Sequence, residues 1–194
     1  MQNVCVFCGS ATGSDPRFTE AATACGREIA RRGLGLVYGG ASVGLMGVVA
    51  NAVLAAGGAV VGVIPHVLER RELTHPGLTE TIVVESMHQR KATMAARSDG
   101  FIALPGSIGT LEETFEILTW TQLGLSAKPC GFLNVAGYYD QLLAFLDHVA
   151  ASGFLKPAWR AAILDGNDPG ALLDRFAGWQ PPAASKWLTD VKQT

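Results

Sequence analysis

The sequence predicts an α/β fold in which a mostly parallel, doubly wound sheet carries helices on both faces. Short runs of strand formers alternate along the chain with longer helical segments, as in α/β proteins. Only 16% of the residues are charged, against roughly 25% in an average soluble domain. That scarcity is expected when both faces of a sheet are buried. The 23 glycines follow no collagen-like period, so they should mark turns and close approaches of the backbone to a ligand.

The strands are recognised by apolar, β-branched or aromatic runs that stop at a glycine, a proline or a polar turn. In chain order, the predicted strands are Asn3–Cys8, Leu34–Tyr38, Ala59–Ile64, Thr81–Glu85, Phe101–Leu104 and Pro129–Asn134.

The helices follow these strands, and the first has the clearest boundaries. Asp15 is its predicted N-cap, Pro16 occupies the first turn, and Gly33 follows the last turn. The predicted helices are Asp15–Arg32, Gly44–Ala56, Met87–Ser98, Thr110–Leu123 and Tyr138–Ser152. A last, shorter unit is expected from Ala161–Leu164 and Pro169–Phe176, so that residues 1–178 form one domain and residues 179–194 a tail.

Charge and cysteine content exclude several classes of protein. The net charge of −2 argues against a nucleic-acid binder, which would normally carry a basic stripe. Glycines interrupt the uncharged stretch 33–68, so no transmembrane span is expected. The four cysteines and the absence of a signal peptide predict a reducing compartment, the cytoplasm. Cys5 and Cys8 have redox spacing but lie within a strand, so they are interpreted as buried small hydrophobes, and no metal site is expected.

The candidate site lies at the carboxyl ends of the strands, where open α/β sheets bind their ligands. Two loops there leave a strand and open a helix, an arrangement that favours an anion such as phosphate. The first loop supplies Gly39, Gly40, Ser42 and Gly44, and Ser10 follows the first strand. Tight packing of helix on strand is the alternative explanation for these glycines.

The second loop runs from Pro105 into the helix predicted to begin at Thr110. With Thr110 as N-cap, Glu112 and Glu113 fall in the first helical turn, and Thr110 with Glu113 also forms a capping box. Successive helical residues point about 100° apart, so the two glutamates are not expected to share one pocket.

A third group is the pair Arg90-Lys91, which starts the helix after the fourth strand and could hold phosphate or orient a carboxylate. A solvated helix face is the alternative. A Schiff-base role for Lys91 needs an aldehyde cofactor, for which the sequence offers no context.

These segments together resemble the "lonely guy" family of cytokinin-activating phosphoribohydrolases, once mislabelled lysine decarboxylases. The matching pieces are Cys-Val-Phe-Cys-Gly-Ser-(x)2-Gly, Gly-Gly-(x)3-Gly-Leu-Met-Gly, Met-His-Gln-Arg-Lys and Pro-Gly-x-x-Gly-Thr-Leu-Glu-Glu, and the likeness extends to Phe154. The resemblance implies a dimeric or larger Rossmann-like enzyme without cofactor. It also implies a small-molecule nucleotide substrate, an AMP-like or N6-substituted adenosine monophosphate, cleaved at its N-glycosidic bond.

The resemblance also assigns roles to individual residues. It implies that Arg90 and Glu113 are catalytic. Nucleotide contacts are implied for Glu72, Lys91, Gly106, Ser107, Ile108, Gly109, Thr110 and Thr119. Thr119 lies about 240° round the helix from Glu113, so any contact from it points to a second subunit.

The sequence departs from the family pattern at Ser107, which stands where the family has its second glycine. If the backbone there has positive φ, a serine costs roughly 1 kcal/mol or more. This departure leaves open a non-catalytic nucleotide or cofactor carrier on the same fold.

Overall fold

The computed structural model describes residues 1–69 and 74–183, which build a sheet of seven strands. The strands are β1 Asn3–Phe7, β2 Gly35–Tyr38, β3 Val60–Pro65, β4 Glu80–Val84, β5 Gly100–Ala103, β6 Cys130–Leu133 and β7 Leu164–Gly166. Their order across the sheet is β4-β3-β2-β1-β5-β6-β7, and every pairing between neighbours is parallel. The chain order switches between β1 and β5, which confirms the Rossmann-like, doubly wound fold.

The described residues form eight α-helices, of which seven lie between strands and the last follows β7. They are α1 Pro16–Arg31, α2 Gly44–Ala55, α3 His66–Glu69, α4 Met87–Ala96, α5 Ile108–Gln122, α6 Asp140–Ala151, α7 Pro157–Ala162 and α8 Pro169–Ala177. The local signals of α1 act as predicted, because the Asp15 carboxylate accepts the Arg17 N–H and Gly33 has a φ of +68°.

Strand β1 shows why helices cover both faces of the sheet. Its side chains alternate between the two faces, as the period of two in a strand requires. Val4 and Val6 pack in a core that includes residues of α1, α2 and α8. Cys5 and Phe7 pack on the opposite face with residues of α4 and α5. Both β1 faces are therefore buried, which explains the low charge content.

The structure departs from the prediction in three respects. Helix α5 begins at Ile108, and its N-cap is Ser107 rather than Thr110. The prediction lacks the short helices α3 and α7, although Pro157 at the first position of α7 is a recognisable start signal. The segment 161–164 is not one element, because it spans the end of α7 and the first residue of β7.

The predicted tail starts with a packed residue. Trp179 lies against the core, and its indole N–H donates to the Ala162 carbonyl at 3.0 Å. The rest of the tail from residue 184 onward, and Glu72, lie outside the described residues. In the part of the chain that the structure describes, no helix has the length and apolar character needed to cross a membrane.

Candidate active site

Three turns meet at the carboxyl end of the sheet, where the chain order switches. The Gly9 N–H, after β1, donates to the Pro105 carbonyl after β5 at 3.0 Å. The Gly9 carbonyl accepts from the Leu45 N–H of α2 at 3.0 Å. A Cβ on Gly106 would lie 2.8 Å from the Gly9 nitrogen, so the two turns approach closely only because Gly106 has no side chain. The predicted convergence of these loops is present.

Arg90 is the best-anchored charged side chain of this region. It lies in α4, whose N-cap Ser86 accepts the Gln89 N–H, and it is only 8% exposed. Its Nε donates to the Val63 carbonyl at 3.1 Å and its Nη2 to the Gly39 carbonyl at 3.3 Å. Because Val63 lies in β3 and Gly39 directly follows β2, the sheet itself fixes the guanidinium.

The remaining guanidinium nitrogen of Arg90 faces Glu113 on α5. Arg90 Nη1 lies 3.6 Å from Glu113 Oε1, and the Glu113 side chain is 12% exposed. Burial raises the pKa of the Glu113 carboxyl above its usual range, while the nearby Arg90 charge lowers it in part. A buried carboxylate with a raised pKa beside a fixed cation is typical of general acid–base sites.

This pair lines a cavity of about 180 Å³. The lining residues are Cys8, Gly9, Ser10, Met46, Met87, Arg90, Ser107, Gly109, Thr110, Glu112 and Glu113. A second cleft of about 190 Å³ shares Gly9, Ser10 and Ser107 with it and extends toward Phe18 and Tyr138. Of the predicted site residues, the structure thus brings Ser10, Arg90, Ser107, Gly109, Thr110 and Glu113 together at one cavity.

Ser107 adopts an ordinary extended backbone with a φ of −98°. The strain that positive φ would have caused at this position is therefore absent. Its side chain makes no capping hydrogen bond, and the residue is exposed at the rim of both cavities. Ile108 and Gly109 are also exposed, whereas Thr110 is buried beside Gly106.

The start of α5 corrects the placement of the two glutamates. With Ser107 as N-cap, Glu112 and Glu113 lie in the second turn, and the predicted capping box from Thr110 to Glu113 does not form. Both glutamates line the same cavity, contrary to the expectation that they would not share one. Each faces a different cation, since Glu113 faces Arg90 and Glu112 pairs with Lys91.

Lys91 is held by two carboxylates. Its Nζ lies 2.5 Å from Glu112 Oε1 and 3.0 Å from Glu116 Oε1. Burial lowers the pKa of Lys91, but the two carboxylates outweigh burial and the pKa lies above its ordinary value. A protonated lysine in this setting joins α4 to α5 and is a poor nucleophile.

The glycines of the first loop are used for close packing. Gly39 is buried, and a Cβ there would lie 2.1 Å from Arg90 Nη2. Gly40 has a φ of +82°, and its carbonyl accepts a hydrogen bond from the His75 N–H. A Cβ on Gly44 would lie 2.2 Å from the Ser10 carbonyl carbon, and Ser42 is half-buried with its carbonyl against Gly47. Direct phosphate contact from this loop stays a prediction.

Thr119 is not brought to the cavity of its own chain. It is exposed, and its hydroxyl donates to the Phe115 carbonyl at 2.7 Å.

Cys5 and Cys8 are buried free thiols whose pKa values are raised, chiefly by burial, which confirms their interpretation as interior residues. Among the described residues, no group of three or more His, Cys, Asp or Glu side chains is arranged to hold a metal ion.

Several cavity residues were missed in the sequence. Met46 and Met87 line the cavity, and Phe18 and Tyr138 line the adjoining cleft. Met46 and Met87 lie within the family motifs quoted above, so their place in those motifs could have identified them as cavity residues. No sequence signal marks Phe18, because an aromatic residue in a helix is ordinarily explained by core packing.

A protein-family model described as "possible lysine decarboxylase" matches residues 46–176. The probable cytokinin riboside 5'-monophosphate phosphoribohydrolase LOGL9 of Oryza sativa subsp. japonica is 49% identical over 180 residues, covering 93% of this chain and 79% of that protein. The cytokinin riboside 5'-monophosphate phosphoribohydrolase LOG5 of Arabidopsis thaliana is 45% identical over 196 residues, covering 98% of this chain and 86% of that protein.

A similar solved structure is the molybdenum cofactor binding protein of the phototrophic bacterium Rippkaea orientalis. Its TM-score is 0.69 at 21% identity, with 91% of this chain and 96% of that chain covered. At this level of identity, the likeness shows a common fold and carries no functional information.

Proposed function

The chain belongs to the lonely guy family, and on this premise we propose that it hydrolyses the N-glycosidic bond of AMP or an N6-substituted adenosine 5'-monophosphate. The products are the free base and ribose 5-phosphate. The relatives named above carry cytokinin riboside 5'-monophosphate phosphoribohydrolase as their name, which supports this class of nucleotide as substrate.

The observation that carries the proposal is the buried pair of Arg90 and Glu113 in the cavity beside the start of α5. Departure of a base from a ribose builds positive charge at the anomeric carbon, as in glycoside hydrolysis. A carboxylate fixed beside that carbon stabilises the charge, and the Arg90 guanidinium favours the ionised form of Glu113 and orients it.

The start of α5 supplies the group that recognises the phosphate. Ser107 and Gly109 line the cavity and are exposed, and the first amides of this 15-residue helix have no partners within the helix. Such an end favours an anion. With the 5'-phosphate at this end, the ribose would extend toward Glu113, which lies five residues after the first residue of α5.

The reaction balances with water as the second reactant. The bond between the anomeric carbon and the base nitrogen breaks, and its electron pair leaves with the base. A water oxygen bonds to the anomeric carbon while Glu113 accepts a proton from that water. The departing base takes up one proton and Glu113 gives up the proton that it accepted, so that the carboxylate is restored and nucleotide and water give free base and ribose 5-phosphate.

The test is incubation of the protein with AMP and, separately, with N6-isopentenyl AMP, followed by chromatographic measurement of the free base. Base release by the wild-type protein and its loss in Glu113→Ala, with unchanged circular dichroism, are expected. Tight AMP binding without base release would instead identify a carrier. The unstrained backbone of Ser107 removes backbone strain as a reason for that alternative.

The assembly and compartment are part of the same proposal. We propose a homodimer or larger homo-oligomer, supported by the exposure of Met87 and Ile108, 41% and 79%, on α4 and α5 beside the cavity. A second copy on this side would also bring in Thr119 from its own α5. Light scattering after size exclusion tests the assembly.

A cytoplasmic location is supported by the four free thiols.

A further inference from the structure

Two neighbouring tyrosines donate hydrogen bonds to the backbone on either side of Pro105. The Tyr138 hydroxyl donates to the Gly106 carbonyl at 2.6 Å, and the Tyr139 hydroxyl donates to the Leu104 carbonyl at 2.6 Å. These two carbonyls stand on either side of Pro105, which cannot donate a hydrogen bond of its own. Tyr139 therefore holds Leu104, directly after β5, and Tyr138 holds Gly106 in the loop that leads into α5.

The segment that presents the tyrosines has an unusual backbone. Ala136 has a φ of +54° and is the only non-glycine residue with positive φ in the described part of the chain. Asn134 fixes this turn, because its Oδ1 accepts the Tyr139 N–H and its Nδ2 donates to Asp140 Oδ1, both at 2.7 Å. A strained conformation persists where the surroundings determine it, and such positions concentrate at functional sites.

Tyr138 also connects the two loops of the cleft. The Phe18 ring meets the Tyr138 ring edge-on at 5.5 Å between centroids. Phe18 in turn lies beneath Gly13, where a Cβ would come within 2.6 Å of the ring. The loop after β1 and the loop after β5 thus share one aromatic support, in addition to the backbone bond between Gly9 and Pro105.

From this geometry we infer that Tyr138 is a positioning residue for substrate binding. It holds Gly106 so that the exposed amides at the start of α5 meet the 5'-phosphate. Tyr138 is 44% exposed, so the fold gains little from its burial, whereas Tyr139 is 1% exposed and packs in the core. The inference rests on the proposed function, because that function places the phosphate at this loop.

The experiment compares Tyr138→Phe with the matched control Tyr139→Phe. Both changes remove one hydroxyl from adjacent residues and leave the ring. Kd for ribose 5-phosphate is measured by titration calorimetry, and kcat and KM are measured with AMP. We expect Tyr138→Phe to raise both Kd and KM about threefold to tenfold, the effect of one hydrogen bond. Its kcat should stay within about twofold, since lost uniform binding raises KM alone.

The control separates positioning from stability. Tyr139→Phe leaves the buried Leu104 carbonyl without its donor, so its thermal midpoint should fall while Kd and KM stay at wild-type values. A second variant, Phe18→Leu, keeps the Tyr138 hydroxyl but removes the edge-on ring, and its Kd should rise in the same direction.

Two results would overturn the inference in different ways. If the wild-type protein binds ribose 5-phosphate and cleaves AMP while Tyr138→Phe keeps wild-type Kd and KM, the tyrosine has only a structural role. If the wild-type protein neither binds ribose 5-phosphate nor cleaves AMP, the proposed function fails and the inference fails with it.

Discussion

The guanidinium of Arg90 lies 3.6 Å from the carboxylate of Glu113, and both side chains are nearly enclosed. The arginine is fixed by the carbonyls of Val63 in β3 and of Gly39 after β2, whereas the glutamate is carried by the helix after β5. The pair therefore spans the switch point between β1 and β5. Its position makes the chemistry of the site depend on how the two halves of the sheet are joined.

Replacement of Glu113 by glutamine should abolish most of the activity. Glu113→Gln keeps the shape but removes the proton acceptor, so kcat for AMP should fall at least about a hundredfold. Glu112→Gln is the matched control, because Glu112 lines the same cavity, is half-exposed and faces Lys91. Its kcat should change by less than about threefold. Equal losses in the two variants would contradict the assignment of Glu113.

The activity should depend on pH through Glu113. The carboxylate is the active form and burial raises its pKa, so kcat/KM should fall, as the pH drops, at a pH above the ordinary glutamate range. Arg90 lowers this pKa. In Arg90→Gln, the pH at which the residual kcat/KM falls on the acid side should therefore be higher than in the wild-type protein. An acid limb that stays in place would show that another group controls it.

The same raised pKa predicts the sign of the stability effect. The native carboxyl binds its proton more tightly than the unfolded one, so the contribution of Glu113 to the free energy of unfolding becomes more favourable as the pH falls between the two pKa values.

Gly39 should be required for the position of Arg90. A Cβ at Gly39 would lie 2.1 Å from Arg90 Nη2, so Gly39→Ala should displace the guanidinium and lower kcat/KM at least about tenfold. The control is Gly178→Ala, where a Cβ meets open space and φ is −102°. Steady-state kinetics on both variants, with thermal midpoints, measure the difference. Full activity in Gly39→Ala would mean that the loop moves instead of the arginine.

Ser107→Gly should have little effect on stability. The serine has an extended backbone and makes no capping bond, so a glycine relieves no strain there. We expect the free energy of unfolding, measured in urea, to change by less than about 0.5 kcal/mol. A gain above about 1 kcal/mol would indicate strain at the serine. Comparison of kcat/KM for the two proteins tests whether the serine side chain crowds the phosphate.

The sequence by itself determined the elements whose signals are local. The boundaries of α1 follow from Asp15, Pro16 and Gly33, which act within one helical turn. The alternation of strands and helices was sufficient for the parallel sheet, whereas the switch point between β1 and β5 is seen only in the strand order of the structure. The prediction failed at the start of α5, where both Ser107 and Thr110 are suitable N-caps by residue type. Thr110 is buried against Gly106 within the helix instead.

The tertiary structure alone decided which carboxylate meets which cation. Helical periodicity separates Glu112 from Glu113 by about 100° but does not say which one faces Arg90. The answer depends on the rotation of α5 against α4, which packing on the sheet sets, and on the reach of Lys91 toward Glu112 and Glu116. The contact of Tyr138 with Gly106 is likewise made across 32 residues of sequence. No property of either residue alone encodes these pairings, because side chains far apart in the chain meet only after the sheet has brought their elements together.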